Sequence, residues 1–566
     1  MFDTFNFISW NCRGGVSHFR KQRSIPSFVS LHNLSIVGLI ETKRASFDDF
    51  LIRRLWPNLD FGYCFSSSTG ASGGLACVWN TALVTPTRII TSNRWISLDF
   101  IWCNSSIRFI VVYAPNCPVT RSIFWEDLLP ELTCDRLSLV EVPLHGRFFT
   151  WNNSFSRSKI DRCFISPSVF ALWPNLHLKA LPRSFSDHTP IRFTSAAAID
   201  WGPRPFRSLN AWWKHEDFAI FVHNSWHSFS GMNNQHSLVN KLRNLRRVIK
   251  DWNKNVFGNM NAQAVTVQQQ ITNLEQVADV RILSDLEKSS LATLHSQLFD
   301  ITRHLKLIWL QKSRLNWSLL GDKNTSFFHL AATVHAKNNQ ISEVVVDNIC
   351  YTTPFDIKKN VSGFYQNLYK RTSPLQFSLS FLTFKKLTAD DAANMITGFD
   401  LEEIHSALCN CDSNKAPGPD GFNLFFYKQA WEIIKTDLFN LFQEFHRSSH
   451  FPASLNTAFL ILIPKIKGAR DIKDFRPISL INGIFKILSK MLANRLGAVL
   501  HSLISENQFG FIKGRNIHDC HSIASELIHL TLKRKEQYFI IKLDFQKAFD
   551  SVSWSFILYV MEKNEF

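Results

Sequence analysis

Short apolar runs separated by turn-forming residues dominate the first two hundred positions. Phe5–Trp10, Ser35–Ile40, Gly74–Trp79, Arg94–Trp102 and Ile107–Tyr113 are rich in β-branched and aromatic residues, the composition of strands that fit a pleated, half-buried surface. Clusters of Gly, Ser, Asn and Pro, as at Ser66–Gly74 and Ala114–Pro118, break them apart. Phe19–His32, Phe47–Leu55 and Ser122–Leu132 fit helices. Strands interleaved with helices in this way predict a layered α/β sandwich over residues 1–195.

A Pro-rich joint, Trp201-Gly-Pro-Arg-Pro, opens a region of helical period. Leu291, Leu294, Leu298, Ile301, Leu305 and Ile308 recur every three or four residues and predict one apolar helix face. Leu238, Leu242, Leu245, Ile249 and Trp252 make a similar face beside Lys241, Arg243, Arg246, Arg247 and Lys250. An intramolecular helical hairpin with a solvated basic side is expected, with nucleic-acid contact by those basic residues as the alternative. The pattern changes again near residue 400. Leu401–Leu408, Ala430–Arg447 and Ile484–Leu500 read as helices, and Ala458–Ile463 and Tyr538–Asp544 as strands. Three segments follow: 1–195, 196–400 and 401–566.

Composition narrows the classes. A chain of 566 residues is too long for one core at roughly 100–200 residues per domain. With 45% hydrophobic and 13% aromatic residues it can bury sizeable cores. Lys and Arg number 63 against 46 Asp and Glu, a surplus of +17 that favours a polyanionic partner and excludes an acidic, self-solvating tail. The eleven Cys are scattered. Only Cys409 and Cys411 lie close, with no second pair nearby, so a zinc ribbon is unsupported and free thiols in a reducing compartment are expected. Met-Phe-Asp-Thr-Phe-Asn-Phe has no basic region of a signal peptide, and no apolar run reaches membrane-spanning length. An intracellular chain is expected, with the nucleus as a compatible location and no membrane partner.

Polar groups stand at the ends of several apolar runs. Asn11, within Ser9-Trp10-Asn11-Cys12-Arg13-Gly14, and Glu41, within Leu39-Ile40-Glu41-Thr42-Lys43, offer hard oxygen donors suited to Mg²⁺. Val112-Tyr113-Ala114-Pro115 ends a third run. Thr150-Trp151 leads into Ser158-Lys159-Ile160-Asp161-Arg162, and Ser186-Asp187-His188 closes the segment. An Asp bonded to a His fixes the imidazole tautomer, which suits proton transfer or stabilisation of a phosphate.

In this order, with Ser72-Gly73-Gly74-Leu75 and Gly146-Arg147-x-Phe-Thr-Trp, the stretches resemble the endonuclease/exonuclease/phosphatase family. More closely they resemble the apurinic-like endonuclease at the front of plant LINE-type (non-LTR) retrotransposon polyproteins. The resemblance implies a four-layer, DNase I-like α/β sandwich. It also implies that Asn11 and Glu41 hold the divalent metal with Asp187 nearby, that Tyr113 contacts the scissile phosphate, and that His188 acts on it, oriented by Asp161. The family carries a Gly-Asp-Phe-Asn strand between the Tyr-Ala-Pro loop and the Gly-Arg-x-Phe-Thr-Trp segment. Here Ser122–Leu132 runs directly into Thr133-Cys134-Asp135-Arg136-Leu137-Ser138-Leu139. The Asp that activates water and the Asn that meets phosphate charge are therefore missing, as after an internal deletion.

A second series begins at Lys415-Ala416-Pro417-Gly418-Pro419-Asp420-Gly421. Leu462-Ile463-Pro464-Lys465, Phe475-Arg476-Pro477-Ile478, Glu506-Asn507-Gln508 and Gly514-Arg515 follow, then Ile541-Lys542-Leu543-Asp544-Phe545. Lys415, Lys465, Arg476 and Arg515 suit a template backbone or an incoming dNTP. The series resembles the fingers and first palm motif of LINE-type reverse transcriptases, in which Asp544 would be a catalytic, metal-binding carboxylate. Gly321-Asp322-Lys323-Asn324-Thr325-x-Phe327-Phe328-His329 resembles the connector ahead of that polymerase. Two-metal phosphoryl transfer needs several carboxylates, and no Asp-Asp hairpin follows Asp544. Asp48-Asp49 and Asp390-Asp391 lie upstream in helical contexts. The expectation is an Mg²⁺-dependent endonuclease joined to the start of an RNA-directed DNA polymerase, acting on DNA and RNA but catalytically defective. A non-catalytic nucleic-acid-binding protein is the alternative. A small-molecule phosphatase of the same fold is disfavoured by the polymerase motifs.

Overall fold

Strand β1 (Asn6–Asn11) buries both its faces. Phe7 joins Ile36, Leu75, Cys77 and Trp79 in a core shared with Ile96, Leu98, Phe100, Ile107 and Val111. Ile8 and Trp10 join Ile25, Val29, Leu51 and Ile52 on the other side. Successive side chains on a strand point to opposite faces, so a strand apolar at nearly every position must lie in a middle layer. The computed structural model describes residues 4–68, 73–132, 139–173, 175–183, 186–195, 200–229, 237–258, 260–313, 331–332, 335, 339–370, 379, 381–466, 468–535, 537, 539–545 and 552–566.

The middle layer is a seven-stranded sheet in the order β3 (Phe61–Ser66), β4 (Leu75–Asn80), β2 (Ile36–Ile40), β1, β14 (Ile191–Thr194), β13 (His177–Ala180), β9 (Leu144–His145). Strands β1 and β2 run parallel, with Asn11 opposite Ile40. A three-stranded antiparallel sheet, β5 (Pro86–Thr91), β6 (Trp95–Trp102) and β7 (Ser105–Val112), covers one face. The close approach of the two sheets uses Gly38, where a Cβ would sit 2.8 Å from a methyl of Val111. Helices α1 (Phe19–His32) and α2 (Asp49–Leu55) cover the opposite face. Helix α3 (Pro118–Leu132) lays Phe124 and Leu128 against Trp95 on the outside of the small sheet. The result is four layers, helix–sheet–sheet–helix, as the resemblance implied. Short ribbons pair β8 (Val140–Glu141) with β12 (Phe164–Ile165), and β10 (Trp151–Asn152) with β11 (Arg157–Ser158), and α4 spans Pro167–Leu172.

Packing divides the chain into two units, each discontinuous in sequence. One comprises Met1–Gly202, Ser326–Val361 and Leu462–Arg476; the other comprises Pro203–Thr325, Ser362–Ile461 and Pro477–Phe566. This grouping runs across the consecutive segments 1–195, 196–400 and 401–566. In the first unit the reason is visible at Glu343, a buried carboxylate that accepts from Lys179 Nζ at 3.1 Å and pairs with Arg470 Nε at 2.6 Å. Beside it, β15 (Val344–Val346) and β16 (Ile349–Tyr351) form a hairpin. The Val345 N–H donates to the Arg470 carbonyl at 2.7 Å.

The second unit is helical. Leu242, Leu245, Ile249 and Trp252 of α6 (Ser237–Trp252) are buried with Phe218 and Val222 of α5 (Phe218–Ser228). The same core takes Ile404 and Leu408 of α11 (Leu401–Cys409), Phe426 of α12 (Leu424–Gln429), Leu438 and Phe442 of α13 (Trp431–Ser448), and Ile487 and Met491 of α14 (Gly483–Leu503). Between α6 and this group come α7 (Met260–Val280), α8 (Asp285–Ser313), α9 (Pro354–Leu368) and α10 (Ala389–Met395). Helices α7 and α8 pack against each other, closed by a bidentate Arg281–Glu287 bridge at 2.7 and 2.9 Å, whereas the basic helix α6 packs chiefly with α5 and α13 rather than in a hairpin of its own. The basic side of α6 is partly consumed internally: Lys241 binds Asp437 at 2.8 Å, and Arg246 lies over Phe206. Arg243, Arg247 and Lys250 are exposed. Asp48 caps α2, and Asp390-Asp391 occupy the first turn of α10, so both upstream acidic pairs serve helix starts.

One expected element is absent. β17 (Ala458–Pro464) pairs with β18 (Phe475–Ile481), but Phe539–Asp544 is irregular and Tyr538 lies outside the described residues. Ile541 is 79% exposed and Phe539 97%. A strand exists only where a neighbour takes its backbone hydrogen bonds, and no described strand lies alongside this run. The flanking helices α15 (Ile517–Arg534) and α16 (Trp554–Lys563) likewise bury no residue. The Gly321–His329 stretch and Ser72 lie outside the described residues.

Candidate nuclease-like site

Asn11 ends β1 and Glu41 follows β2, so the parallel register delivers both to the same end of the sheet. Asn11 Nδ2 donates to Glu41 Oε1 at 2.9 Å, and Asn11 Oδ1 accepts from the Arg13 N–H at 2.9 Å. Glu41 (φ +54°) and Lys43 (φ +51°) are both in the left-handed region, at a cost of about 1–3 kcal/mol each for a residue with a side chain. The loop is held there by Thr42 N–H to the Gly74 carbonyl at 3.0 Å and Lys43 N–H to the Gly73 carbonyl at 3.1 Å. Gly74 must be glycine on two counts: its φ is +85°, and a Cβ would lie 2.5 Å from Thr42 Oγ1.

Lys21, on α1, organises the loop after β1. It is 5% exposed, and its ammonium donates to the carbonyls of Cys12, Arg13 and Gly15. Burial lowers its pKa, with Lys43 acting in the same direction. Burial pushes the neighbouring Cys12 thiol up to about 12, so this buried thiol stays protonated and inert. Tyr113 follows β7, under the Arg94 guanidinium at 5.3 Å from the ring centre. Burial, then the Glu41 carboxylate beside it, raises its pKa and keeps the hydroxyl protonated.

The second half of the site is a histidine clamp. His188 is 6% exposed, and its Nδ1 meets Asp161 at 2.9 and 3.0 Å. With a proton on Nδ1, the other ring nitrogen is the one available for chemistry. Thr150 Oγ1 fixes the carboxylate's loop by accepting from the N–H groups of Ile160 (3.2 Å) and Asp161 (3.0 Å). Asp187 Oδ2 accepts from Trp151 Nε1 at 2.7 Å and pairs with Arg13, while its Oδ1 is buried with no hydrogen-bond partner among the described residues. The two halves adjoin, because Ser186 Oγ donates to the Asn11 carbonyl at 2.8 Å and Arg13 reaches Asp187. Sequence reasoning named Asn11, Glu41, Tyr113, Asp161, Asp187 and His188. It gave no supporting role to Lys21, Thr150 Oγ1 or the Trp151 indole, although Thr150 and Trp151 end the Gly146-Arg147-x-Phe-Thr-Trp motif; Lys21 has no local pattern.

Asn11 and Glu41 supply an amide oxygen and a carboxylate, a donor set that fits Mg²⁺, which keeps waters and takes substrate phosphate as further ligands. The unpartnered Asp187 oxygen is consistent with a third donor. Among the described residues no group of three or more His, Cys, Asp or Glu encloses a metal position. The strand expected to carry a further Asp is not supplied by the β8 region. Glu141 on β8 pairs with Lys159 and lies 3.6 Å from Arg162, and β8 bonds to β12 rather than to β7. Strand β7 has β6 as its only hydrogen-bonded neighbour among the described strands. Asp135 lies outside the described residues.

The basic residues expected at a polymerase template differ in engagement. Lys415 is well exposed, 3.5 Å from Asp412. Lys465 Nζ donates to the Lys473 carbonyl at 2.8 Å, and Arg476 is exposed on β18. The Arg515 guanidinium is committed to the carbonyls of Ser505, Gln508 (2.7 Å) and Ile504 (3.3 Å), so it closes a loop rather than offering a free fork. Arg495 of α14 is held by Glu403 at 2.6 and 2.7 Å. Asp544 stands in the exposed, irregular run. The Lys415–Gly421 turn is built inward: Asp420 accepts from Tyr427 Oη at 2.8 Å, and burial pushes its carboxyl up to about 6.

Residues 463–566 match the family described as reverse transcriptase (RNA-dependent DNA polymerase). The "Transposon TX1 uncharacterized 149 kDa protein" of Xenopus laevis is 24% identical over 424 residues, 73% of this chain and 32% of the relative. A "Retrovirus-related Pol polyprotein from type-1 retrotransposable element R1" of Bradysia coprophila is 27% identical over 30% of this chain and 17% of its own length. Among solved structures, the "Endonuclease domain of TRAS1, a telomere-specific non-LTR retrotransposon" aligns at 10% identity and TM-score 0.25, covering 34% of this chain and 98% of that one. An AP endonuclease from Leishmania major aligns at 11% and 0.27, over 34% of this chain and 89% of its own. Over its length the chain is thus similar to retrotransposon proteins, and residues 463–566 match the reverse transcriptase family. The chain spans about a third of the length of the frog relative. The relatives named come from a frog and an insect, and the plant type has no support among them.

Proposed function

We propose that this chain binds nucleic acid through a nuclease-like site that holds a divalent cation but cuts poorly. The observation that carries the reading is the juxtaposition of Asn11–Glu41 with the Asp161–His188 clamp, in a site whose neighbouring Glu141 is turned into ion pairs with Lys159 and Arg162. Mg²⁺ at Asn11 and Glu41 would offset the charge of a phosphodiester. Tyr113 would donate a hydrogen bond to a phosphate oxygen, and His188, set by Asp161, would meet the same group. What these residues do not supply is a positioned base for the attacking water. The polymerase motifs support descent from an element that primed DNA synthesis on RNA, and dNTP and RNA binding are part of the same reading. Plant origin rests on the motif resemblance alone.

A +17 surplus makes phosphate contacts the main source of affinity. Binding of a labelled DNA duplex, followed by anisotropy, is expected to weaken by roughly 10³–10⁵ between 50 and 200 mM salt if six to ten phosphates are contacted. Salt-insensitive binding, or none at low salt, contradicts the reading.

A further inference from the structure

By sequence, the turn between β17 and β18 lies inside the stretch that matches the reverse transcriptase family, yet by packing Leu462–Arg476 belongs with the α/β sandwich. Glu343 explains the attachment. It is 6% exposed, its Oε2 takes Lys179 Nζ of β13 at 3.1 Å, and its Oε1 faces Arg470 Nε of the turn at 2.6 Å. Three segments far apart in sequence thus share one buried carboxylate. The backbone reinforces the tie: the Val345 N–H donates to the Arg470 carbonyl at 2.7 Å, and Val345 bridges Asp471 in parallel register. Asp471 then caps a short 3-10 turn, Ile472–Asp474, whose Ile472 is buried.

The turn is seated on the segment that leads to the histidine clamp. At Gly468 (φ +76°) a Cβ would lie 3.1 Å from the Phe148 nitrogen and 3.4 Å from the Arg147 carbonyl carbon. At Gly146, which heads the same segment, a Cβ would lie 3.4 Å from the Ala180 carbonyl oxygen and 3.8 Å from Glu343 Oε1. Two residues beyond Phe148 stands Thr150, 1% exposed, whose Oγ1 accepts from the N–H groups of Ile160 and Asp161. Asp161 in turn holds His188 Nδ1. Local bonds also hold this segment, because the Thr150 N–H donates to the Ser158 carbonyl at 3.1 Å and its carbonyl accepts from Thr189 at 2.7 Å. Release of the turn should therefore loosen the segment without unfolding it.

We propose that the β17–β18 turn, fastened by Glu343, is a positioning element for the Asp161–His188 clamp. With the turn docked, Thr150 sits where it fixes the Asp161 loop; with the turn released, the imidazole loses its set tautomer. The inference rests on the nuclease-like reading above and adds to it a regulation of that site by a segment of the polymerase-like region. The tie depends on charge as well as shape, because removing the carboxylate leaves two cations without their counter-ion. The clamp is sensitive to it because a misplacement of about 1 Å can cost 10²-fold in rate.

The experiment compares the full-length parent with Glu343→Gln, Gly468→Ala and the exchanged pair Glu343→Lys/Arg470→Glu, which keeps one carboxylate between two cations. Amide hydrogen exchange is read over β1–β2, the turn, and Ile160–Asp161. Nitrogen-15 shifts of the His188 ring, assigned with His188→Gln, report its tautomer. In Glu343→Gln and in Gly468→Ala, exchange at Ile160 and Asp161 is expected to speed up by roughly three- to tenfold, as when one ordinary hydrogen bond weakens. The His188 ring is expected to pass from a fixed Nδ1–H form to an average of two tautomers, with β1–β2 unchanged. The exchanged pair is expected to restore both readouts. Faster exchange in the turn, with Ile160, Asp161 and the His188 ring unchanged, overturns the coupling and leaves the nuclease-like reading intact. Loosening of β1–β2 to the same degree in both single variants also overturns it, because Glu343 and Gly468 then support the sandwich at large. A parent whose His188 ring is not fixed as Nδ1–H overturns the clamp and both readings with it.

Discussion

Lys21 shows how much of the site depends on a residue with no catalytic look. Its buried ammonium gathers three carbonyls and so shapes the loop that carries Arg13 toward Asp187. Lys21→Met removes the donor and leaves those carbonyls to find other partners. At about 1–3 kcal/mol for a buried group left unpaired, thermal unfolding of the N-terminal unit should shift down by several degrees; an unchanged midpoint would mean that water replaces the ammonium without loss. Asn11, Glu41 and Tyr113 stood out because they end apolar runs, and Asp161, Asp187 and His188 through the motif resemblance. The support given by Lys21, Thr150 and Trp151 was not legible, because each acts across a distance that only the folded chain closes.

At the scale of elements, the strands and helices named from the sequence in the first two hundred residues fall within a few positions of the structure, whereas β3 (Phe61–Ser66) and β5 (Pro86–Thr91) were not named. Long periodic runs carry their own signal. The two- to four-residue strands β8–β13 do not, since each exists by virtue of a neighbour, and Tyr538–Asp544 shows the converse: a strand-like composition without a described partner stays irregular. The contact of the two sheets at Gly38 gives a direct check of the layering. Gly38→Ala places a methyl 2.8 Å from Val111 and should destabilise the unit by about 1–3 kcal/mol, as overpacking does. Adding Val111→Ala should recover part of that loss, and absence of any recovery in the double variant would show that the strain lies elsewhere. In the helical unit, Asp420 titrates at about 6 because burial favours its neutral form. The folded state therefore holds a proton that the unfolded chain has released. Its contribution is fully present below the usual 3.8 and is lost as pH rises to about 6. The loss is on the order of 1–2 kcal/mol after allowance for partial exposure. Urea denaturation across that window should show the decline in the parent and a flatter profile in Asp420→Asn.

At the scale of the whole molecule, the proposed reading places phosphodiester chemistry at two candidate sites. Asp544 stands in an exposed, unpaired run, and no described cluster of carboxylates surrounds it. Two-metal polymerisation needs such a cluster, so primer extension on an RNA template with Mg²⁺ or Mn²⁺ should be undetectable with this chain. Extension abolished by Asp544→Ala would show that it assembles a working pair of metals. The N-terminal candidate site brings together the Asn11–Glu41 pair and the His188–Asp161 clamp. On the proposed reading, the lack of a positioned base among the described residues is expected to lower a cutting rate by about 10²–10⁴-fold, and loss of a preorganised donor to the phosphate by up to a further 10²–10³-fold. Conversion of supercoiled plasmid to open circles with Mg²⁺ tests this most directly. The account predicts plasmid retained at low salt but nicked far more slowly than by an active Mg²⁺-dependent endonuclease run in parallel as a positive control. Nicking at a comparable rate, abolished by Glu41→Ala or His188→Ala, would contradict it.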